Sequence, residues 1–583
     1  MLKDRIDLRQ IPFTDRGSRL LLYRNNSNFS IRLAERWFKH SGNLASYRNR
    51  PPLVEELRFV DENGYRLNFE LVSYPHCLNL KTEIGQFTIS FHDPETLIIH
   101  LPEGRSGLRF QAHMDLGSVD RRGGVLQTIG NIRRNLAYTT NAKILENKIE
   151  VQEDHSLNIR LDYEAKTETP LLFNITPRLG FNRHIPNQQD SLEQSALRWH
   201  DWFSQAPEVN SSFQEQYYFA WWVMRAGLIS PRYYTTREAM TPSKFYYLGV
   251  WQWDAYFHAI AYRHVDIDLA QNQLRILLDH QSENGMIPDA VHDEGIVTHL
   301  DFPVEADVTK PPLVAWAAWK LHQTKPDLEF LNEIYEPLVN WNNWWFEKND
   351  LDHNGLCEYQ HPFSSGLDDS PLWDQGMPVE SPDLNSYLCM QQDYLAKIAN
   401  EIGKKLEANI WAQRAENVAK LMLQSMWDEQ AGLFWAKKDG KPINVITPFN
   451  LFPLISGRMP AKINQRLVQH LMNEKEFWSP YPIPSVAMDD PKFDPDQMWR
   501  GPTWINVNYL LIEGLNQTGY TSQARELRRR TLEMICSLPD IYEYYHPLTG
   551  AQPSKAAPIF GWSSAILIDL TIQATQEGLD KPK

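Results

Sequence analysis

Between Ser364 and Asp374 the chain reads SSGLDDSPLWD, three aspartates, a tryptophan, a glycine and a proline within eleven residues. The stretch is too polar for a core helix and too aromatic for an ordinary solvated loop. Carboxylates can act as acid or base at a glycosidic bond, Trp373 offers a flat apolar face to a pyranose ring, and Gly366 with Pro371 suits an irregular backbone. A plainer reading has the loop capping a helix through Asp369 or Ser370, and composition alone does not separate the two. Further segments of this kind are GVWQWDAYFH (249–258), QSENGMIPDA (281–290), DVTKPPLVAW (307–316), DQMWRGPTWINVN (496–508), YEYYHPLTGAQP (542–553) and FGWSS (560–564). Together they supply carboxylates, indoles, a guanidinium and amides. That inventory holds a polyhydroxylated ligand, with charged groups on the hydroxyls and indoles on the apolar ring face.

A second constellation, NDLDHNGLCEYQH, has Asp350, Asp352, Asn354, Gly355 and Glu358 at positions 1, 3, 5, 6 and 9 of an EF-hand-like loop, with the Leu356 carbonyl at position 7. Oxygen ligands at alternate positions and glycine at the sharp turn suit Ca²⁺. Position 12 is His361, so the bidentate glutamate of a true EF-hand is missing, and an unmetallated turn-rich loop is the alternative. Such an ion would be structural, bracing the chain ahead of Asp368. His258 and His546 read as hydrogen-bonding partners, because no second histidine at i+4 supports zinc. Cys77, Cys357, Cys389 and Cys536 show no CxxC spacing, which points away from a zinc site or disulfide framework and towards a reducing compartment. No organic cofactor motif is present.

The elements that must position these residues change character along the chain. At 583 residues two domains are expected. From residue 1 to 178, short alternating runs such as YRLNFELVSY, GQFTISFH, TLIIHLPEG, GLRFQAHMDL, KIEVQ, SLNIRLDYEA and PLLFNITP, divided by DENG, HDPE, PEGRSG and RRGG, predict an antiparallel β-sandwich. Residues 179–210 read as a Pro/Asn/Gln-rich linker with a short helix over 191–204. From 211 to 583 the apolar spacing becomes helical, with about eleven helices from QEQYYFAWWVMRAGL to WSSAILIDLTIQAT, and an α/α toroid of paired helices accounts for them. No fixed repeat favours a solenoid. The net charge of −15 without a basic run disfavours nucleic acid. The start, MLKDRIDLRQIPF, has no signal-like apolar core, and no apolar run spans a membrane, so a cytoplasmic protein is expected. Twenty tryptophans raise the expectation of carbohydrate stacking, although packing between helices accounts for most of them.

SGLDDSPLWD resembles the acid-bearing segment of glycoside hydrolase family 63. MWRGPTWINVNYLLIEGL resembles its WRGP helix, and YEYYHPLTGAQP with FGWSSA resembles its base-bearing segment. The resemblance runs in order over about residues 240–575, with more distant kinship to family 37 trehalases and to mannosylglycerate and glucosylglycerate hydrolases. It implies an (α/α)6 barrel and inverting hydrolysis of an α-glycoside, with Asp368 as general acid and Glu543 as general base; the residues alone do not choose Asp368 over Asp369 or Asp374. It also implies a sugar-hydroxyl ligand at Asp254, for which a helix N-cap is the alternative. Trp251, Trp253, Trp373, Trp499, Trp504 and Trp562 are candidate substrate contacts, as is Arg500, whose alternative is a salt bridge. Family members carry calcium in a loop like 350–361. The expected activity is an exo-acting α-glucosidase on short glucosides. A hydrolase of glucosylglycerate or mannosylglycerate is second, and would need a cation such as Lys310, Lys244 or Arg500 for the substrate carboxylate. A disaccharide phosphorylase and a non-catalytic glycan-binding protein follow.

Overall fold

The computed structural model describes residues 2–35, 52–129, 133–178 and 180–578, and the chain divides into two compact units. The first comprises Met1–Ala206 with two short later segments, Arg225–Ser230 and Lys244–Leu248. A six-stranded sheet runs Leu20–Asn25, Asn28–Leu33, Val54–Val60, Gly104–Ala112, Leu157–Ala165, Lys143–Val151. An eight-stranded sheet runs Glu70–Ser73, Cys77–Thr82, Gly85–Asp93, Thr96–His100, Pro170–Thr176, Asn135–Thr140, Gly123–Gln127, Leu116–Asp120. Both are antiparallel in the pairings that define the core strands. Phe59 meets Phe87 and Phe110 meets both Tyr138 and Phe173, so aromatic side chains of one sheet interleave with those of the other. Burial alternates along Leu157–Ala165 as the period-two pattern requires.

Pro170–Thr176 is buried on both faces. The eight-stranded sheet has a cover, the helix α1 (Gln188–Ser204), which packs on the Cys77–Thr82 and Gly85–Asp93 strands. Its apolar stripe of Trp199, Trp202 and Phe203 is buried, Ser195 donates to the His76 carbonyl, and Arg198 donates to the Phe91 carbonyl. The helix placed in a 179–210 linker from the sequence therefore belongs to the first unit. The two later segments join this unit by backbone and apolar contacts. The Gly17 N–H donates to the Leu228 carbonyl, and Leu248 packs with Leu21 and Ala34.

The second unit is helical: α2 (Gln214–Ala226, shared at its end with the first unit), α3 (Gln252–Tyr262), α4 (Ile267–Leu278), α5 (Val314–Thr324), α6 (Leu328–Lys348), α7 (Pro382–Glu401), α8 (Lys405–Ser425), α9 (Ala461–Leu471), α10 (Ile505–Gln517), α11 (Thr521–Cys536) and α12 (Gly561–Gln576). A 3-10 segment, Pro448–Ser456, lies between α8 and α9. Packing contacts run from α3 to α5, to α7, to the 3-10 segment, to α10, to α12 and back to α3, which closes a ring of six inner elements. Every residue of α3 is buried, as are most of α10 and α12, whereas α4, α8, α9 and α11 bury one stripe. Amphipathic outer helices thus alternate in sequence with apolar inner ones. Asp266 and Asp327 cap α4 and α6 by accepting from Leu269 N and Phe330 N. Among the described residues no helix is long and apolar enough to cross a membrane.

Asp569 of α12 closes the ring electrostatically. Its carboxylate accepts from Arg263 and His264 at the end of α3 at 2.7 and 2.8 Å, from Tyr509 of α10 at 2.7 Å, and from Gln573 at 2.6 Å. Burial alone would raise its pKa, but Arg263 and His264 outweigh that and hold it far below the usual range. Removing one partner of such a buried pair leaves the other uncompensated. Asp569→Ala should therefore destabilise the protein by about 3–5 kcal/mol, seen as a lower urea midpoint, and an unchanged midpoint would contradict this role.

Candidate active site

Most segments singled out from the sequence lead into, or lie a few residues ahead of, the N-terminus of an inner element, where unpaired N–H groups favour anions and oxygen-rich ligands; 281–290 instead follows α4. The loop that bears Asp368 is two 3-10 turns joined through Gly366. Pro362–Ser365 ends on Gly366 in the left-handed conformation (φ 74°), and Ser370 caps Pro371–Trp373. A Cβ on Gly366 would stand 2.4 Å from the Trp253 ring, so the loop's approach to α3 requires glycine. Trp373 is 8% exposed and donates its indole N–H to the Leu367 carbonyl at 2.7 Å, beneath Asp368.

The three aspartates of this loop separate by their partners. Asp369 accepts from Trp499 N at 2.8 Å and Gln497 Nε2 at 3.1 Å, tying the acid loop to the WRGP segment. Asp374 pairs with Arg500 at 2.5 Å and Lys492 at 2.9 Å. Arg500, expected among the substrate contacts, thus holds a carboxylate of the 364–374 loop. Asp368 has no such partner. The residue is half-buried overall, and burial of its carboxyl pushes the pKa up to about 7, opposed by Lys310 and assisted by Asp289 and Asp369.

Asp254 lies in the first turn of α3, whose N-cap is Trp251 without a side-chain capping bond. The capping alternative for Asp254 is therefore not realised. Its side chain is 3% exposed with Oδ1 buried and unpartnered, and its pKa is driven well above the carboxylate range by burial, with Lys310 opposing and Glu543 and Asp289 adding to it. A buried acceptor without a donor is open to a ligand hydroxyl. Glu543 is 3% exposed and held by the Ala557 backbone, which accepts from its N–H at 2.9 Å and donates to its Oε2 at 3.2 Å. Reciprocal Thr503–Tyr545 backbone bonds tie the Glu543 segment to the WRGP segment. The WRGP stretch thus bridges the two carboxylate-bearing loops.

Trp499 and Trp504 stack on each other at 3.7 Å and 3°, Trp253 meets Trp562 edge-on at 5.2 Å, and the Trp562 indole N–H donates to the Glu543 carbonyl at 3.5 Å. These four are buried, and their contacts with one another make a rigid aromatic base between Asp254 and Glu543. Trp251 is half-buried and lies edge-on to His292. His258, expected to hydrogen bond, has both ring nitrogens buried without a partner against Gly561; burial lowers its pKa to about 3. His546 accepts from Leu548 N within its own turn.

Two residues of this cluster lacked a catalytic signal in the sequence. Asp289 and Lys310 are both buried, with Nζ 2.8 Å from Oδ1. Burial depresses the Lys310 ammonium, yet Asp289, Asp368 and Asp254 together raise its pKa. Lys244 lies in the first unit, where it donates to the Asp15 carbonyl and Thr14.

In the 350–361 loop, Asp350 accepts from Gly355 N, Asn354 Oδ1 from Leu356 N, and Glu358 from Leu351 N, while Asn354 donates to Asp352 and to Glu380, which the sequence had not flagged. Asp350 Oδ1 is buried and unpartnered. Burial raises Glu358 to about 7, with the charges of Asp352, Glu380 and Asp350 contributing. His361 is turned away, onto Phe363 N and the Phe302 carbonyl. The side chains of Asp350, Asp352, Asn354 and Glu358 are oxygen donors, the ligand type a hard cation takes.

Residues 247–563 match the mannosylglycerate hydrolase MGH1-like glycoside hydrolase domain. Mannosylglycerate hydrolase of Thermus thermophilus is 27% identical over 57% of this chain and 97% of its own length. The structure of the family 63 mannosylglycerate hydrolase from a second strain of that species, in complex with glucose, is 25% identical, covers 61% of this chain and 99% of that one, and has a TM-score of 0.53. A bacterial glucoamylase complexed with acarbose shares the fold at 12% identity, with a TM-score of 0.57 over 98% of this chain and 94% of that one. With its family model spanning more than half of the sequence, the chain belongs to the mannosylglycerate hydrolase MGH1-like glycoside hydrolases of family 63.

Proposed function

We propose that the protein hydrolyses the α-glycosidic bond between a hexose and a small hydroxy acid such as glycerate, with inversion, in an (α/α)6 barrel formed by its ring of inner helices and their outer partners. The observation that carries this is Asp368, raised to about 7 by burial and so able to hold a proton near neutrality, in one charged cluster with Asp254 and the distant Glu543. Asp368 delivers its proton to the glycosidic oxygen as the C1–O bond breaks. Glu543 takes a proton from the water that attacks C1 from the opposite face, and Asp254 accepts from hexose hydroxyls. The products are the free hexose and the hydroxy acid.

The sequence placed a general α-glucosidase first, and the family match favours the second reading, the glycosylglycerate hydrolase. Of the three cations weighed for the substrate carboxylate, Arg500 is on Asp374, Lys310 on Asp289 and Lys244 in the first unit, so the leaving-group preference rests on the relatives. For calcium, Asp350, Asp352, Asn354, the Leu356 carbonyl and Glu358 would hold the ion, with Glu380 beside them. Its part is structural, relieving the repulsion among these carboxylates.

On this reading kcat/KM for α-glucosylglycerate or α-mannosylglycerate exceeds that for α-linked disaccharides by at least about tenfold, and the reverse order returns the α-glucosidase. Asp368→Asn and Glu543→Gln each lower kcat by about 10²-fold or more without a matching loss of stability; near wild-type rates in both would refute the assignment. Because the acid acts while protonated, kcat/KM falls as pH rises through about 7. For the calcium loop, Ca²⁺ at about 100 times its Kd stabilises the chelated protein by about 2.7 kcal/mol, measured by thermal unfolding, and Asp350→Ala abolishes the gain. Unfolding indifferent to Ca²⁺ would remove the ion from the account.

A further inference from the structure

Thr309 and Lys310, just ahead of α5, fasten three loops of the site together. Thr309 Oγ1 donates to the Ile287 carbonyl at 2.7 Å and lies 2.9 Å from Gln252 Oε1 at the start of α3, while its N–H donates to Ser364 Oγ at 3.2 Å. Lys310, 4% exposed, donates to the Phe363 carbonyl at 2.5 Å and pairs with Asp289 at 2.8 Å. The acid loop is therefore anchored from Phe363 and Ser364, a few residues before Asp368. We propose that Lys310 is a positioning residue for the general acid: held by Asp289 and the Phe363 carbonyl, it fixes the loop that bears Asp368 and keeps a positive charge beside that carboxyl. The inference rests on the reading of Asp368 as the acid.

A buried ammonium keeps its charge only against nearby anions, and here Asp289, Asp368 and Asp254 provide them. The groups acting on Asp368 are Lys310 from the segment before α5, Asp289 from the segment after α4, and Asp369 from its own loop; Asp254 of α3 and Glu543 of the base segment complete the cluster. Lys310 opposes the effect of burial on the acid, and Asp289 reinforces it. Without the ammonium, burial would hold the Asp368 proton more firmly. The dyad therefore works in two opposed directions on one carboxyl. A residue that only filled space would not.

The opposed signs make the test. The Asp368 carboxyl is followed by ¹³C NMR titration of the full-length protein, with Asp368→Asn supplying the assignment. In Lys310→Gln the midpoint moves up by about 1 pH unit or more, and in Asp289→Asn it moves down. The alkaline limb of kcat/KM moves the same way in each variant, and kcat at the optimum falls at least about tenfold in Lys310→Gln while KM changes less. Midpoints unmoved in both folded variants, or moved in the same direction, overturn the proposal. If Lys310→Gln does not fold, the direction of the Asp289→Asn shift decides alone. A wild-type protein that turns over no glycoside refutes the functional reading, whereas the NMR titration still decides on Lys310.

Discussion

One ammonium buried among carboxylates is the constraint on which this site depends. Lys310 is almost fully removed from water and cannot stay charged there unless anions gather round it. Asp289 is its direct partner, and Asp368 and Asp254 contribute through the field. The anions depend on it in return, because burial drives Asp254, Asp289 and Asp368 all towards the neutral form and the ammonium opposes that drive in each. A mixture of neutral and ionised carboxyls in one water-poor place is what separates an acid from its neighbours.

The helical ring makes such a place available. Inner elements that bury most of their side chains exclude water from the middle, and their N-termini gather unpaired N–H groups and the loops that carry the candidate residues. Tryptophans fill the space between those loops. The WRGP segment then joins the two halves, through Asp369 and Asp374 on one side and the Thr503–Tyr545 backbone pair on the other. Its arginine pairs with Asp374, and its main-chain groups do as much as its side chains to set the Asp368 and Glu543 loops in register.

Much of this was legible in the sequence because it is periodic. The change from period two to helical spacing marks the passage from sheets to helices, and the eleven apolar patterns after residue 210 correspond to α2 through α12. The sixth inner element was hidden: TPFNLFPLIS carries two prolines and forms a 3-10 segment that no α-helical pattern reports. Helix α1 was misplaced because an amphipathic helix states that it must dock and not where. Among the site residues, Asp368, Glu543 and Asp254 were singled out through motif resemblance. Asp289 was assigned no role and Lys310 was weighed only as a cation for the substrate carboxylate, because their pairing is a contact between separate loops that the sequence does not show. The Arg500–Asp374 pair was hidden for the same reason, since the sequence does not show which carboxylate a guanidinium meets.

The central claim is that two carboxylates on separate loops carry out a single displacement. It is tested most directly by following the anomer of the first-formed sugar by ¹H NMR while the enzyme cleaves α-glucosylglycerate or α-mannosylglycerate. The account predicts that the β-hexose appears first and mutarotates afterwards, without any requirement for phosphate. Initial release of the α-hexose, or of a hexose phosphate formed only when phosphate is present, would contradict it.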